Sequence, residues 1–240
     1  MTTPRRIAVL GNSHAACLKA ALDADPALGA GRDITFYAAI AELMAGFRAT
    51  GPVLAAQDDK LKTQLARSAG SDRLDPAGFD GFLLVGMSFK LHPLPDARLS
   101  RAVTAHAVRD RITAGYGWRL ACELRALTAA PIHVAHMPLP ALDRDRFEAE
   151  TPCPAGYDAL AGLWAGVLAD RDLTLLRQPA DTRFGDLMTR RSFARGSVRM
   201  ADGAAHGDDE RFHMNAQYGR RLLEEWFAAL SGTAAPGDEI

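Results

Sequence analysis

Short runs of consecutive apolar residues alternate along the chain with longer stretches in which apolar residues return every three or four positions. Residues 6–10 end in Ile7-Ala8-Val9-Leu10. Residues 34–38 are β-branched and aromatic, and residues 79–85, 131–136 and 173–176 follow the same pattern. These five segments read as strands. Between them lie helical stretches at 14–24, 98–129 (with a break expected at Gly115 or Gly117), 155–169 and 214–230. The last carries Leu222, Leu223, Trp226, Phe227 and Leu230 on one side, the periodicity of an amphipathic helix. Residues 53–68 read as a weaker helical stretch, and residues 178–209 are irregular and rich in Arg, Asp and Gly. Strand–helix alternation on this scale predicts an α/β fold, a parallel sheet covered by helices on both faces. Right-handed crossovers then gather the strand-to-helix turns on one edge. Ligands of such sheets bind beyond the carboxyl ends of the strands.

At 240 residues with 48% hydrophobic content, the chain is long enough to fold around its own core without disulfides or a structural metal. A single domain over residues 1–230 is expected, followed by a mobile tail at 231–240. The 28 Lys and Arg nearly balance the 29 Asp and Glu, which argues against nucleic acid as a partner. Cys17, Cys122 and Cys153 are too few and too scattered for a disulfide framework or a zinc site. No signal-peptide core follows Met1, and no apolar run is long enough to span a membrane, so a cytoplasmic location is expected. Gly11 lacks the context of a dinucleotide or phosphate loop. His133 and His136 alternate to opposite faces of a strand, so no shared metal and no organic cofactor are expected.

The first turn reads Gly11-Asn12-Ser13-His14. A serine there sits at the ligand edge and at the start of a helix, where unpaired backbone N–H groups favour negative charge. Such a position suits a helix cap and equally suits a nucleophile whose attack on an ester generates an oxyanion. Near the other end, Asp208, Asp209 and Glu210 precede His213 at the entry to the last helix. That segment is either a solvated acidic loop or a base with its orienting carboxylate.

Taken together, the two segments resemble the SGNH (GDSL-like) hydrolase superfamily. That superfamily has a Gly-x-Ser turn after the first strand and an Asp-x-x-His motif before the last helix. Gly11-Asn12-Ser13 and Glu210-Arg211-Phe212-His213 occupy those places, with Tyr218-Gly219 following. The resemblance implies a flavodoxin-like three-layer α/β/α sandwich with a mostly parallel five-stranded sheet. It also implies Ser13 as nucleophile and His213 as base, with Glu210, or Asp209 in its place, orienting the imidazole. The oxyanion would be held by the N–H groups of Ser13 and Gly86, with Ser88 standing where the family has an asparagine. Asn12 replaces the family's usual Asp, and Ala39 stands in a region where the family has a glycine donor.

Asn12, His14, Ala39 and His136 are the candidate substrate-lining residues, and His92 with the 137–140 loop could border the cleft. Arg183, Arg190, Arg191, Arg195 and Arg199 form either a solvated loop or a clamp for an anionic group over the cleft. The function implied by the resemblance is a serine-dependent acyl ester hydrolase acting on a small-molecule or glycan ester. Two alternatives stay open: an O-acyltransferase using the same residues, and a ligand-binding domain that kept the fold without the chemistry.

Overall fold

A computed structural model describes residues 4–40, 42–91, 100–141, 156–185, 187–200, 202–207 and 209–232. Five strands, β1 (Arg5–Gly11), β2 (Arg32–Ala38), β6 (Gly81–Val85), β7 (Ile132–Ala135) and β8 (Thr174–Leu176), form one sheet in the order β2-β1-β6-β7-β8. Every neighbouring pair is parallel. Numbered by their turn in this sheet, the strands run 2-1-3-4-5, the flavodoxin-like order. The central strands are apolar without alternation because both faces are covered. All five residues of β6, Gly81-Phe82-Leu83-Leu84-Val85, are buried.

Two apolar clusters fill the layers on either side. On one face α1 (Ala16–Ala24) and the final helix α6 (Ala216–Gly232) pack Leu18, Leu222, Leu223 and Trp226 against Ile7 and Val9. On the other, α2 (Asp59–Ala69), α3 (Arg101–Thr113), α4 (Tyr116–Leu127) and α5 (Tyr157–Ala169) pack Leu65, Ile112, Leu124 and Leu160 against Ala8, Leu10 and Leu84. The expected three-layer architecture is therefore present. The long helical stretch breaks as expected: α3 stops after Thr113, and Gly115 caps α4. None of the helices among the described residues is long and apolar enough to cross a membrane.

Three points differ from the sequence reading. The stretch read as a weak helix over 53–68 is strand β4 (Val53–Ala56) followed by α2. β4 is the middle of a small antiparallel sheet with β3 (Phe47–Thr50) and β5 (Arg73–Leu74). These strands are too short to show a period, and the signal they do carry is the turn. Thr50 pairs with Val53 across Gly51-Pro52, and Gly51 has a φ of +63°, the glycine-first hairpin turn. Ser231 and Gly232, expected in the mobile tail, are the last two residues of α6; residues 233–240, like Cys153, lie outside the described residues. The irregular 178–209 stretch contains a two-residue hairpin, β9 (Arg183–Phe184) with β10 (Met188–Thr189), over a buried network of Gln178, Thr182 and Thr189.

The first and last helices cross at a glycine. A Cβ on Gly219 would lie 2.0 Å from the carbonyl oxygen of Cys17. Cys17 itself is buried in this interface, its Sγ donating to the carbonyl of His14 at 3.1 Å. Gly219→Ala forces backbone apart from backbone, and it is expected to cost about 1–3 kcal/mol of stability. Urea unfolding checks this; a midpoint unchanged from the native protein would contradict the tight crossing.

Candidate functional site

The sheet order reverses between β1 and β6, and the turns after those two strands flank the crevice where such folds hold ligands. The turn after β1 places Ser13 at the start of a short 3-10 segment, Ser13–Ala15, that runs into α1. Asn12, not Ser13, is its cap: the Asn12 Oδ1 accepts from the His14 N–H at 3.2 Å. The serine hydroxyl is thus left for another partner. That partner is His213, whose Nε2 lies 3.0 Å from the Ser13 Oγ across 200 residues of sequence.

His213 enters from the loop before α6. Asn215 fixes the end of that loop, its carboxamide accepting from the Tyr218 N–H and donating to the carbonyls of Ser192 and Arg195. The loop is folded around Glu210. Its Oε1 accepts from the backbone N–H groups of Arg211 (2.8 Å), Phe212 (2.6 Å) and His213 (3.0 Å). Its Oε2 lies 3.1 Å from the His213 Nδ1, an ion-pair distance reached off the line of the ring N–H rather than along it. Partial burial pushes the Glu210 carboxyl up, but the N–H groups of Phe212 and His213 and the imidazole outweigh this and hold it at about 2. Of the three acids before His213, Glu210 is the one at the imidazole. Asp209, the expected substitute, is exposed and turned back beside Gly207, and Asp208 lies outside the described residues.

Two further imidazoles stack on His213. His206 lies on one face, with ring centroids 4.4 Å apart and planes 12° from parallel. His14 lies at 5.2 Å and 20°. Burial, then the neighbouring His213, lowers the His14 pKa to about 3, so this ring is neutral at ordinary pH. His206 was missed in the sequence. Its Nδ1 is 3.5 Å from the same Glu210 Oε2, so one carboxylate faces two rings. The legible signal was an acid with a histidine four residues before it and another three after. A hairpin-like return, with Val198 bridged to Ala205 and the His206 N–H bonded to the Ser197 carbonyl, delivers the ring. His206, Glu210 and His213 also bring three potential metal-ligand atoms close together.

The expected oxyanion donors fare differently. The Gly86 N–H is committed to the β7 end, bonding the Ala135 carbonyl at 3.1 Å. The Ala39 N–H bonds the Gly11 carbonyl at 3.2 Å, so Ala39 offers no donor to a ligand. The Ser88 Oγ accepts from the Gly117 N–H at 2.8 Å, serving the first turn of α4. Gly86 is needed for space instead. At a φ of +70°, a Cβ on it would lie 2.5 Å from the Asn12 Oδ1 and 2.7 Å from the His14 Cδ2. Among the described residues, the Ser13 N–H and the Ser88 hydroxyl proton are the expected donors that no hydrogen bond engages.

His136 does not border the cleft. It is buried, with Nδ1 2.6 Å from the Met137 carbonyl and Nε2 3.0 Å from the Tyr157 hydroxyl, against Trp164. His133 and His136 do sit on opposite sides of the sheet: flanking Val134 and Ala135 belong to different clusters. His92 lies outside the described residues. Four of the five loop arginines have partners within the protein. Arg183 lies over the Tyr157 ring, Arg190 donates to the Asp181 carbonyl, and Arg199 pairs with Asp202. Arg191 donates to the Glu210 carbonyl, so the loop buttresses the acid.

Two cavities lie near the site. One, of about 300 Å³, opens between Lys90, Leu91, the 137–140 loop and Phe212. The other, of about 340 Å³, lies beyond Ala15 and Ala16 at the outer edge of β2, near Gln64 and Arg67.

No protein-family profile matches the chain, and no curated protein matches it. Solved structures do. A GDSL-like lipase from Bacteroides thetaiotaomicron VPI-5482 aligns with a TM-score of 0.44 at 9% identity, over 97% of this chain and 92% of that one. The lipopolysaccharide acetyltransferase periplasmic domain from Salmonella ser. Paratyphi A aligns with a TM-score of 0.38 at 10% identity, over 94% and 83%. A salicylyl-acyltransferase from a tetracycline biosynthetic pathway aligns with a TM-score of 0.41 at 14% identity, over 97% and 56%.

The Glu210 cradle has a pH signature. Because the folded carboxyl is held below its ordinary value, its stabilisation is fully present above about pH 4.5 and is lost as pH falls through about 2. Glu210→Ala, which leaves three N–H groups without their acceptor, is expected to lower stability at pH 7 by about 1–3 kcal/mol. The deficit against the native protein should shrink towards pH 2. Guanidinium unfolding at pH 7 and pH 3 checks both; a deficit that grows on acidification would contradict the assignment.

Proposed function

We propose that the protein is a serine-dependent acyl ester hydrolase of the SGNH type, acting on a small-molecule or glycan ester. The observation that carries this reading is the 3.0 Å approach of the Ser13 Oγ and the His213 Nε2, with Glu210 at the far nitrogen of the ring. In this reading the Ser13 oxygen bonds to the ester carbonyl carbon while its proton passes to the His213 Nε2. The tetrahedral intermediate collapses, the carbon–alkoxide bond breaks, and the imidazolium returns the proton to the departing alcohol. Water, deprotonated by the same imidazole, then releases the acid from Ser13. Glu210 fixes the tautomer and stabilises the imidazolium. His14 and His206 hold the ring from its two faces.

The Ser13 N–H receives the developing oxyanion. Missing one such donor costs about 10²–10³ in kcat. With the Gly86 and Ala39 N–H groups engaged elsewhere, esters with good leaving groups are the expected substrates, since they demand least of the oxyanion site. The same engaged donors favour a second reading, a ligand-binding domain of this fold without turnover. An acyltransferase would share every residue named and differ in using an acceptor hydroxyl in place of water.

A fluorophosphonate probe separates these readings, because Ser13 Oγ–phosphorus bond formation with loss of fluoride needs an activated serine. Native protein is expected to label, Ser13→Ala to fail, and His213→Ala to label far more slowly. On p-nitrophenyl acetate, Ser13→Ala is expected to lower kcat by at least about a thousandfold. Absence of labelling in the folded native protein would favour the binding domain. Turnover that rises with an added sugar acceptor would favour the transferase.

A further inference from the structure

The cavity of about 300 Å³ is walled by hydrocarbon: Leu91 after β6, Pro138, Leu139 and Pro140 after β7, and the ring of Phe212. Lys90 is the only charged group lining it among the described residues. Its walls are tied together rather than loose. The Met137 N–H bonds the Phe89 carbonyl at 2.7 Å, the Ala141 N–H bonds the Arg211 carbonyl at 2.7 Å, and the Leu139 N–H bonds the Gln178 side chain at 3.1 Å. The Phe212 backbone is held just as firmly by Glu210, and the residue, 54% exposed, lines the cavity.

The cavity lies at the carboxyl edge of the sheet, the edge that also carries Ser13 and His213. Phe212 immediately precedes His213, Leu91 follows the Gly86 turn, and the Lys90 charge acts on His14. Preformed apolar clefts of roughly 300–1,000 Å³ are the usual size for small-molecule sites. A dry apolar cavity of about 150 Å³ already holds a benzene ring.

We propose that this cavity is the subsite for an apolar alkyl or aryl group of the ester, and that Phe212 is its specificity-determining wall. The inference rests on Ser13 being the nucleophile. It narrows the substrate from any ester to one that carries a hydrocarbon group next to the scissile bond, on the acyl or the alcohol side.

Two ester series test it on the full chain. In the first, the p-nitrophenyl group is constant and the acyl group lengthens from acetate through butyrate to hexanoate. In the second, acetate is constant and the alcohol lengthens from ethanol through butanol to hexanol. In one series kcat/KM is expected to rise about fourfold per methylene, the effect of burying each group. The series that rises names the side of the ester that enters the cavity. Phe212→Asp is expected to reduce the long-to-short preference roughly tenfold, the order of a few lost methylene contacts. Phe212→Leu is expected to keep most of it, and the exposure of the ring makes both variants tolerable to folding, which thermal unfolding verifies. Flat profiles in both series, or a slope unchanged in Phe212→Asp, overturn the subsite while fluorophosphonate labelling of Ser13 leaves the hydrolase reading standing. Failure to label overturns both.

Discussion

The close crossing of the first and last helices sets the geometry on which the rest depends. Ser13 opens one of these helices and His213 precedes the other, so the distance between them is set by how nearly the two backbones approach. Gly219 against the Cys17 carbonyl fixes that approach from below, and the stacked rings of His14 and His213 continue it above. A site assembled this way owes its precision to core packing rather than to loop chemistry. Its stiffness comes from the buried cluster around Trp226 and Leu223, far from the hydroxyl it positions.

A second principle is the reuse of one carboxylate. Glu210 shapes its own loop through three N–H groups with one oxygen and faces two imidazoles with the other. Local folding and candidate chemistry are therefore coupled at a single side chain. The extra methylene of glutamate over aspartate suits this double role, since the longer arm lets Oε1 stay in the cradle while Oε2 reaches the rings. Arg191 on the Glu210 carbonyl ties the long arginine-bearing loop to the same point.

What could be read in advance was what depends on neighbours in sequence. The turn after the first strand marked Ser13 as a helix cap or a nucleophile, and only the resemblance of Gly11-Asn12-Ser13 to a family motif favoured the latter. His213 followed from the same resemblance, which left Glu210 and Asp209 both open as its partner. A parallel sheet covered on both faces followed from alternation, while its flavodoxin-like order was only implied by the resemblance. The fate of the oxyanion donors could not be read, because it is decided by partners far along the chain. The Gly86 N–H is taken by Ala135 through the register of β6 against β7, and the Ala39 N–H by the Gly11 carbonyl. His206 was hidden for the same reason: its ring reaches His213 through a return at 197–206 whose residues show no period. The small β3-β4-β5 sheet escaped because strands of two to four residues are shorter than any repeat that pattern could show.

The 200-residue separation between the serine hydroxyl and its imidazole bears on how the protein is made. During synthesis the N-terminal half emerges first, with Ser13 at the end of β1 and His213 not yet made. α6 is the last described helix to leave the ribosome, and only its docking against α1 brings the imidazole into place. A nascent chain halted anywhere before residue 213 lacks this imidazole altogether, so the contact between the two side chains first exists once α6 has docked.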